Sequence, residues 1–348
     1  MTRERDLSID VLRGVAAFFV VFTHVIQLYG DQSNNIVNNF MLALQIPLFM
    51  MVSGYTSKYS KPITTIKGLL NQMGKRSRIL LLPWLTWSLL LYIIYRYQVP
   101  FFDHVANVAY HMEGAYWFLF SLWCLDLVNT VASYIANRFG KSGNILLYLV
   151  AFFAQLAVFF GIGYLFGLSF LGIKYTLYYS LFFLLGYFLA KEKIEQYVLL
   201  SNTLTTILLF VMSVLFFVAV TRMNIFELPE MPLFIILRIA VSVMGCLMMF
   251  YTVKKIVWDS SKMLTKFLLW GGGKSLEIYV VHYLLLRIFL KVTPMNIDTV
   301  LSMVETIEYF LIILAVTYIV IEIINLNPIS RLILFGKNYD RNGKTKKS

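Results

Sequence analysis

Two ionisable side chains, Arg13 and His24, interrupt the otherwise apolar stretch Asp10–His24. Eleven residues separate them, which at about 100° per residue is three turns plus roughly 20°, so on a helix both lie on one face about 16 Å apart. Ionisable groups inside a membrane are costly and usually face a bundle interior, where histidine suits general-base chemistry near neutral pH. The alternative is structural: Asp10 neutralises Arg13, and His24 makes one interhelical hydrogen bond.

A second apolar stretch, Lys274–Arg287, carries three ionisable side chains, Glu277, His282 and Arg287. Glu277 and His282 are five residues apart, roughly 140° around a helix, so we expect them to meet different neighbours. Ser275 shares a face with His282. The order of the chain predicts Glu277 near the inner side of the membrane and Arg287 near the outer side.

A pair of arginines, Arg76 and Arg78, ends a basic connector immediately before the next apolar run. Paired guanidinium groups at the inner mouth of a span suit bidentate recognition of phosphate. The alternative is that they only mark the cytoplasmic side and contact lipid headgroups. Asp126, deeper in a later span, is an intramembrane acid and is therefore another candidate for substrate binding.

The loop from Arg96 to Gly114 holds His104, His111 and Glu113 and leads into Tyr116 and Trp117. Aromatic side chains at a span's mouth anchor the helix at the interface or stack on a sugar, and the sequence does not separate these two roles. Neither histidine has metal-like spacing with a partner.

Metal and phosphate-loop motifs are not found in the sequence. HExxH and paired CxxC patterns do not occur, and Gly271–Lys274 lacks the spacing of a P-loop. Cys124 and Cys246 lie in apolar runs and are interpreted as small core residues rather than a disulfide or metal pair. We therefore expect no metal site.

Composition indicates what positions these residues. The 348-residue chain is 59% hydrophobic and 14% charged, whereas a soluble domain of this length carries nearer a quarter charged residues. The predicted fold class is all-α, a polytopic integral membrane helix bundle of about ten spans.

No cleavable signal peptide is expected, since the first apolar run is of full membrane length. The predicted spans are 9–29, 40–57, 79–95, 115–135, 144–165, 175–190, 200–220, 232–253, 275–291 and 304–324, with a re-entrant piece as an alternative at the glycines of 159–174.

Basic residues predict the orientation. With the N-terminus cytoplasmic, 23 of the 30 lysines and arginines fall in inside segments, so both termini are predicted inside. This placement also explains the net charge of +12 without nucleic acid, because the cytoplasmic leaflet is anionic. Residues 1–335 are predicted to form one membrane domain and 336–348 a basic cytoplasmic tail.

Several of these stretches together resemble the integral-membrane acyltransferase family 3. They cover nearly the whole chain, from the first span to the ninth. The family's Arg-x10-His signature falls on Arg13 and His24, and its Arg-x-Arg element on Arg76 and Arg78. The others are the Phe49–Tyr55 segment ending in Ser-Gly-Tyr, Tyr116-Trp117-Phe118-Leu119, and Ser275 through His282.

The resemblance implies an enzyme of the cell inner membrane that moves an acetyl group from cytoplasmic acetyl-CoA to a hydroxyl of an envelope carbohydrate. It implies that Arg76 and Arg78 bind the acyl-CoA phosphates and that His24 is the base. Arg13, Glu277 and His282 then orient the thioester or stabilise developing charge, and Tyr116, Trp117 and Asp126 contact the acceptor. Whether His24 only takes a proton or carries the acyl group stays open, as do a homo-oligomer and a glycan-assembly partner.

Some relatives append a soluble esterase-like domain outside the membrane. This chain ends about two dozen residues after its last predicted span, so transfer is expected to be completed by the membrane domain or by a separate partner.

The main alternative is a transporter or flippase for an envelope glycolipid, which also carries buried ionisable residues. Transporters often show related halves with broken spans in corresponding places. Pro47 and Pro83 both fall in the first half and have no counterpart in the second. A structural subunit of a glycan-assembly complex is a third alternative, for which the buried charges would be needlessly costly.

Overall fold

The computed structural model describes residues 6–29, 36–57, 60–110, 112, 116–140, 144–191, 203–223, 231–289 and 300–338. Within these ranges all regular secondary structure is helical, which confirms the predicted fold class. The predicted site residues are all described. His111, Glu113 and residues 339–348 of the predicted basic tail lie outside the described residues.

The helices are numbered in chain order. They are α1 Leu7–Tyr29, α2 Ile36–Ser57, α3 Ile66–Arg76, α4 Leu82–Leu91, α5 Phe101–Tyr110, α6 Trp117–Phe139, α7 Ile145–Phe166, α8 Ile173–Lys191, α9 Thr203–Arg222, α10 Pro232–Lys255, α11 Met263–Gly273, α12 Ser275–Phe289, α13 Val300–Asn325 and α14 Pro328–Phe335.

Eight helices among the described residues are long and apolar enough to cross a membrane, and they match eight of the ten predicted spans. The remaining two predicted spans, 200–220 and 275–291, overlap α9 and α12. The described apolar part of α9 is Ile207–Arg222, and α12 has 15 residues. The eight are Leu7–Gln27, Ile36–Ser57, Ile66–Arg96, Trp117–Phe139, Ile145–Phe166, Phe170–Ala190, Pro232–Lys255 and Met303–Asn325.

The third of these helices begins well before the predicted residue 79. It runs for 31 residues, Ile66–Arg96, because one π-helical turn, Ser77–Leu81, joins α3 to α4 and a second, Tyr92–Arg96, continues α4 without a break. A π-helical turn inserts an extra residue and changes which side chains share a face, and such turns are frequent at functional sites. Arg78 lies in the first of them.

The glycine-rich region 159–174 forms a helix and a short turn rather than a re-entrant piece. α7 continues through Gly161 and Gly163 to Phe166, and Gly167 ends it at φ 95°. A single 3-10 turn, Phe170–Gly172, then leads into α8.

Side-chain caps fix the first residue of several helices. Asp6 accepts hydrogen bonds from the backbone N–H and hydroxyl of Ser8 ahead of α1. Thr65 and Asn144 accept bonds from backbone N–H groups in the first turns of α3 and α7. Each such cap satisfies donors that a helix start would otherwise leave without acceptors.

The chain divides into two compact units, and the first comprises Met1–Lys58 and Phe182–Ile321. In this unit α1 is in contact with α2, α10, α11 and α12. Close approach depends on small residues: a Cβ on Gly14 would overlap the carbonyl oxygen of Leu268 in α11. The helix that carries Arg13 and His24 is therefore enclosed by four others.

The second unit comprises Tyr59–Leu181 and Glu322–Ser348. Here α6 packs on α3 and α7, and α14 packs on α4. Thr86 and Trp87 of α4 donate hydrogen bonds to the carbonyls of residues 333 and 334 at 3.1 and 2.8 Å. α14 ends at Gly336, φ 64°, where a Cβ would overlap the carbonyl oxygen of Arg78.

Candidate active site

In the first unit the two intramembrane histidines meet. Nδ1 of His24 on α1 lies 2.9 Å from Nε2 of His282 on α12, and the two rings are within 19° of parallel. His282 is fully buried. The sequence proposed both residues for catalysis but did not predict that they form a pair.

The hydrogen bonds of the pair fix which ring nitrogens carry protons. Nδ1 of His282 lies 2.6 Å from the carbonyl oxygen of Ile278, and a carbonyl only accepts, so this nitrogen donates. In a neutral ring Nε2 of His282 is then an acceptor, and Nδ1 of His24 must donate to it. With both rings neutral, Nε2 of His24 therefore keeps its lone pair and can accept a proton from a substrate.

Tyr283 is a neighbour of this pair that sequence reasoning missed. Its ring lies edge-on to His24 with 5.5 Å between centroids, and its hydroxyl accepts a hydrogen bond of 3.1 Å from Nη2 of Arg287. The signal in the sequence was the position of Tyr283 directly after His282, but aromatic residues are too frequent in this chain to single it out.

Arg13 and Glu277 flank the pair along their helices. Arg13 is half-buried on α1, and the helical rise places its Cα about 16 Å from that of His24. Glu277 is 1% exposed in the first turn of α12. Both are described residues of the same unit as the histidines, and their predicted roles in orienting the thioester stay predictions.

In the second unit Arg76 and Asp126 form an ion pair. Nε of Arg76 lies 3.4 Å from Oδ2 of Asp126, whose side chain is 6% exposed. One residue further along, Ser77 accepts a hydrogen bond of 2.9 Å from the indole Nε1 of Trp123. Part of the Arg76 charge is therefore already compensated by Asp126, which the sequence treated as a separate acid.

Arg78 differs from Arg76 in its surroundings. Its Nε–H is buried and has no hydrogen-bond acceptor among the described residues. A guanidinium N–H buried without an acceptor is unfavourable and favours a bound anion as its partner. Of the two predicted phosphate-binding arginines, Arg78 is thus the one with a donor to spare.

The aromatic pair Tyr116 and Trp117 opens α6 as predicted. Tyr116 is buried with a left-handed φ of 52°, and the indole of Trp117 stacks on the rings of Tyr175 and Tyr179, with centroid distances of 4.1 and 5.6 Å. Tyr175 and Tyr179 are one turn apart on α8, so the indole of Trp117 contacts both rings.

The depth of Trp117 follows from how α6 packs on the helix 66–96. Arg76 with Asp126, Ser77 with Trp123 and Trp84 with Phe120 are successive contacts along two antiparallel helices. Trp117 is then level with about residue 85, which is roughly 16 Å before Arg96. The aromatic pair therefore lies well before the Arg96 end of that helix and not at the level where the helix ends.

The side chain of His104 is buried and packs against Tyr92. It is 6% exposed, and its ring stacks on Tyr92 with 4.7 Å between centroids. Burial and the charge of Arg96 both lower the pKa of His104. This packing holds α5 against the second π-helical turn.

Lys254 joins the ends of three helices in the first unit, a contact that the sequence did not predict. Its ammonium pairs with the carboxylate of Asp6, donates to the hydroxyl of Tyr55 at 3.4 Å and lies over the rings of Tyr55 and Phe250. Burial acts to raise the pKa of Asp6, but the hydrogen bonds from Lys254 and Ser8 and the Lys254 charge outweigh it and lower the pKa. Tyr55 is the tyrosine of the Ser-Gly-Tyr segment, so this segment helps to fix where α1 begins.

These features define a class: a multi-span helical membrane protein with a histidine pair in one unit and a helix junction that carries two arginines in the other. Residues 6–325 match the acyltransferase 3 family, described as an acyltransferase domain. The chain therefore belongs to this family, as its motifs indicated.

Two proteins that are similar in sequence to this chain are both named nodulation protein NolL. The one from Sinorhizobium fredii is 27% identical over 154 residues, which are 41% of this chain and 38% of that protein. The one from Mesorhizobium japonicum is 26% identical over 129 residues, 34% of each chain. The match thus spans little more than a third of these relatives' length. No solved structure matches the chain.

Proposed function

We propose that this protein is a membrane-embedded O-acyltransferase that moves an acetyl group from cytoplasmic acetyl-CoA to a hydroxyl of a cell-envelope carbohydrate. Membership of the acyltransferase family supports acyl transfer. The single observation that carries the chemistry is the histidine pair, whose hydrogen bonds leave Nε2 of His24 as a base.

The reaction needs a base because a sugar hydroxyl is a poor nucleophile at neutral pH. Nε2 of His24 takes the hydroxyl proton while the oxygen attacks the thioester carbonyl. The new C–O bond forms, the C–S bond breaks, and the proton on His24 passes to the CoA sulfur. Arg13 and Glu277 orient the thioester or stabilise the charge that develops on its oxygen.

The donor is proposed to bind through Arg76 and Arg78. Acyl-CoA carries several phosphate charges and cannot enter a bilayer, so its nucleotide needs a cationic site on the cytoplasmic side. Asp126 holds Arg76 by an ion pair, whereas the Nε–H of Arg78 is buried without an acceptor in the described structure. Arg78 is therefore expected to supply the larger share of phosphate binding.

The acceptor is proposed to stack on Trp117. The rings of Tyr175 and Tyr179 stack on the indole of Trp117 and hold it in place, and an amphipathic ring suits the apolar face of a sugar. The basic residues predict that the Arg96 end of the helix 66–96 faces outward, so the acceptor is proposed to reach Trp117 from that side.

The experiment is mass spectrometry of envelope glycans from cells with the gene, without it, and with the gene restored as wild type or His24→Ala. We expect an acetyl mass on a repeat unit to disappear with the gene, to return with the wild type and to stay absent with the variant. A general base typically contributes roughly 10² to 10⁴-fold. Unchanged glycans in the deletion strain would contradict the proposal that the protein acetylates an envelope glycan. A folded His24→Ala protein with near-normal activity would mean that another residue is the base.

A further inference from the structure

Exposure increases stepwise away from the histidine pair of the first unit. His282 is fully buried. His24 and Tyr283 are partly buried, and Arg287 is exposed. Tyr283 and Arg287 are one turn apart on α12, so they share a face of this helix. A substrate that approaches His24 along this face therefore meets Arg287 first and Tyr283 second.

Tyr283 links the proposed base to the arginine. Its ring lies edge-on to His24 with 5.5 Å between centroids. Its hydroxyl accepts a hydrogen bond of 3.1 Å from Nη2 of Arg287, and the guanidinium lies 5.5 Å from the centroid of the same ring. Two contacts with one side chain hold the guanidinium in place. The base and the cation are therefore about one tyrosine side chain apart, which is comparable with the size of a monosaccharide.

Arg287 lies at the end of the unit where α1 also ends. A Cβ on Gly272, just before α12, would overlap the carbonyl oxygen of Asp10 near the start of α1. His24, near the end of α1, meets His282. α1 and α12 therefore run in the same direction, and Arg287 lies beyond the histidine pair. The basic residues predict that this end faces outward, which is the side from which the acceptor is proposed to come.

Among the described residues, no carboxylate compensates the charge of Arg287. A guanidinium has five N–H donors, and Tyr283 accepts one of them. The charge of Arg287 acts on His24. Because like charges repel, it opposes the positive charge that His24 acquires when it takes a proton. An anion on the acceptor would pair with Arg287 and remove this opposition.

We propose that Arg287, held by Tyr283, binds an anionic group of the acceptor and so determines the acceptor class. The anion is a carboxylate or a phosphate on the acetylated sugar or on its neighbour, and a guanidinium binds either group through two parallel N–H bonds. The acceptor is then an acidic carbohydrate or a sugar joined to a lipid through phosphate. This inference rests on the proposed function with His24 as the base, and it does not depend on stacking at Trp117.

The alternative role for Arg287 is contact with lipid headgroups, which is common for arginines near the ends of membrane helices. In that role its loss would not depend on the charge of the acceptor. The test therefore changes the arginine and the acceptor separately and together.

The test measures acetyl transfer by the purified full-length protein from acetyl-CoA to unacetylated glycan extracted from the deletion strain. One portion of the glycan is untreated, a second has its carboxylates reduced to alcohols, and a third has its phosphates removed. Arg287→Gln removes the charge, whereas Arg287→Lys keeps it without the planar fork. Arg222→Gln is the matched control, because Arg222 is also exposed and ends α9 on the predicted outer side.

Arg287→Gln is expected to lower kcat/KM for the untreated glycan about 10-fold, the usual effect of one hydrogen bond to a charged group. The KM for acetyl-CoA should not change, Arg287→Lys should lose less, and Arg222→Gln should match the wild type. Removal of the acceptor's anion should cost the wild type at least the same factor and should cost Arg287→Gln little, since the bond is already absent. The treatment that has this effect, carboxyl reduction or phosphate removal, identifies the anion.

Thermal unfolding shows which variants are folded. An unchanged kcat/KM for the glycan in folded Arg287→Gln would overturn the inference and assign Arg287 to lipid headgroups, while the proposed function stands. Equal losses on glycan treatment in the wild type and in Arg287→Gln would mean that another residue binds the anion. If Arg287→Gln does not fold, the wild type decides alone, and no loss with either treated glycan would overturn the inference. Failure of the wild type to acetylate the untreated glycan would remove the proposed function, and the inference with it.

Discussion

The Nδ1 atom of His24 lies 2.9 Å from Nε2 of His282, and the carbonyl of Ile278 in turn accepts from His282. A carboxylate in the place of His282 would also orient the ring of His24, the proposed base, but it would bury a negative charge within the membrane at considerable cost. A neutral second histidine orients His24 without that charge. The arrangement therefore suits a base that works inside a bilayer.

The first prediction concerns His282, which is proposed to act on the reaction through His24. His282→Leu removes the acceptor that fixes the tautomer of His24 and should lower kcat by much of the roughly 10² to 10⁴-fold that a general base supplies. His282→Gln offers an amide oxygen to the same N–H and should retain more activity. Steady-state kinetics on folded protein would show both effects.

The KM for acetyl-CoA serves as the control for His282, since a positioning residue changes kcat and leaves donor binding alone. If both variants are folded and as active as the wild type, His282 has no such role. If both lose stability and activity in parallel, its contribution is to packing.

The spans were predictable because length and apolar composition determine them, and the shared face of Arg13 and His24 follows from helical periodicity. The meeting of His24 with His282 was not predictable, since 258 residues separate them and no local pattern encodes which helices pack together. The same holds for Arg76 with Asp126 and for the Lys254 contacts.

Backbone irregularities account for most of the remaining differences. The π-helical turn Ser77–Leu81 extends the third span by more than ten residues and sets the face on which Arg78 lies. The depth of Trp117 depends on the register between two helices, which only tertiary packing fixes. Sequence periodicity assumes a regular helix and a known partner, and neither held here.

The second prediction concerns orientation. Cysteines placed at Lys67 and Lys262 should resist a membrane-impermeant thiol reagent added outside intact cells, while one at Asp103 should react, because the basic residues mark the cytoplasmic side. All three positions are exposed. His104 is in the same predicted outer loop but is a poor probe position, since its side chain is buried.

The native cysteines give a low background in this assay, as Cys124 and Cys246 are both buried. Labelling of the Lys67 position from outside would mean that the predicted orientation is reversed. The proposed donor site would then not lie on the cytoplasmic side.

The third prediction concerns the close contact of α2 with α8. A Cβ on Gly54 would overlap the carbonyl oxygen of Phe183, and one on Gly186 that of Met51. Gly54→Ala should therefore lower the free energy of unfolding by about 1 to 3 kcal/mol through overpacking. Thermal unfolding in detergent measures the loss.

Gly161→Ala is the matched control, because a Cβ at Gly161 has no atom within 4 Å and alanine favours a helix by about 0.8 to 1.0 kcal/mol over glycine. It should be neutral or stabilising. Equal unfolding temperatures for the two variants would contradict the prediction. They would mean that α2 and α8 can move apart at this contact without loss of stability.

The last prediction concerns the pH dependence of stability at the start of α1. The pKa of Asp6 is lowered from its ordinary value of 3.8, because the hydrogen bonds from Lys254 and Ser8 and the Lys254 charge outweigh the opposing effect of burial. A lowered folded-state pKa means that the carboxylate stabilises the fold at every pH above the unfolded value. This contribution is lost as the pH falls through the folded-state pKa of Asp6. The pair should therefore stabilise the protein from pH 7 down to about pH 4 and contribute progressively less at lower pH.

Asp6→Asn tests this linkage. At pH 7 it leaves the buried ammonium of Lys254 without its carboxylate and should cost about 1.5 to 3 kcal/mol, the range for a hydrogen bond to a charged group. The difference in unfolding temperature between variant and wild type should be constant from pH 7 to 5 and shrink below about pH 4, where Asp6 of the wild type becomes protonated.

The control is Asp103→Asn, at an exposed carboxylate in α5, which should match the wild type at pH 7. A difference that stays constant down to pH 3, or no difference at pH 7, would mean that Lys254 holds the start of α1 through Tyr55 and Phe250 rather than through Asp6.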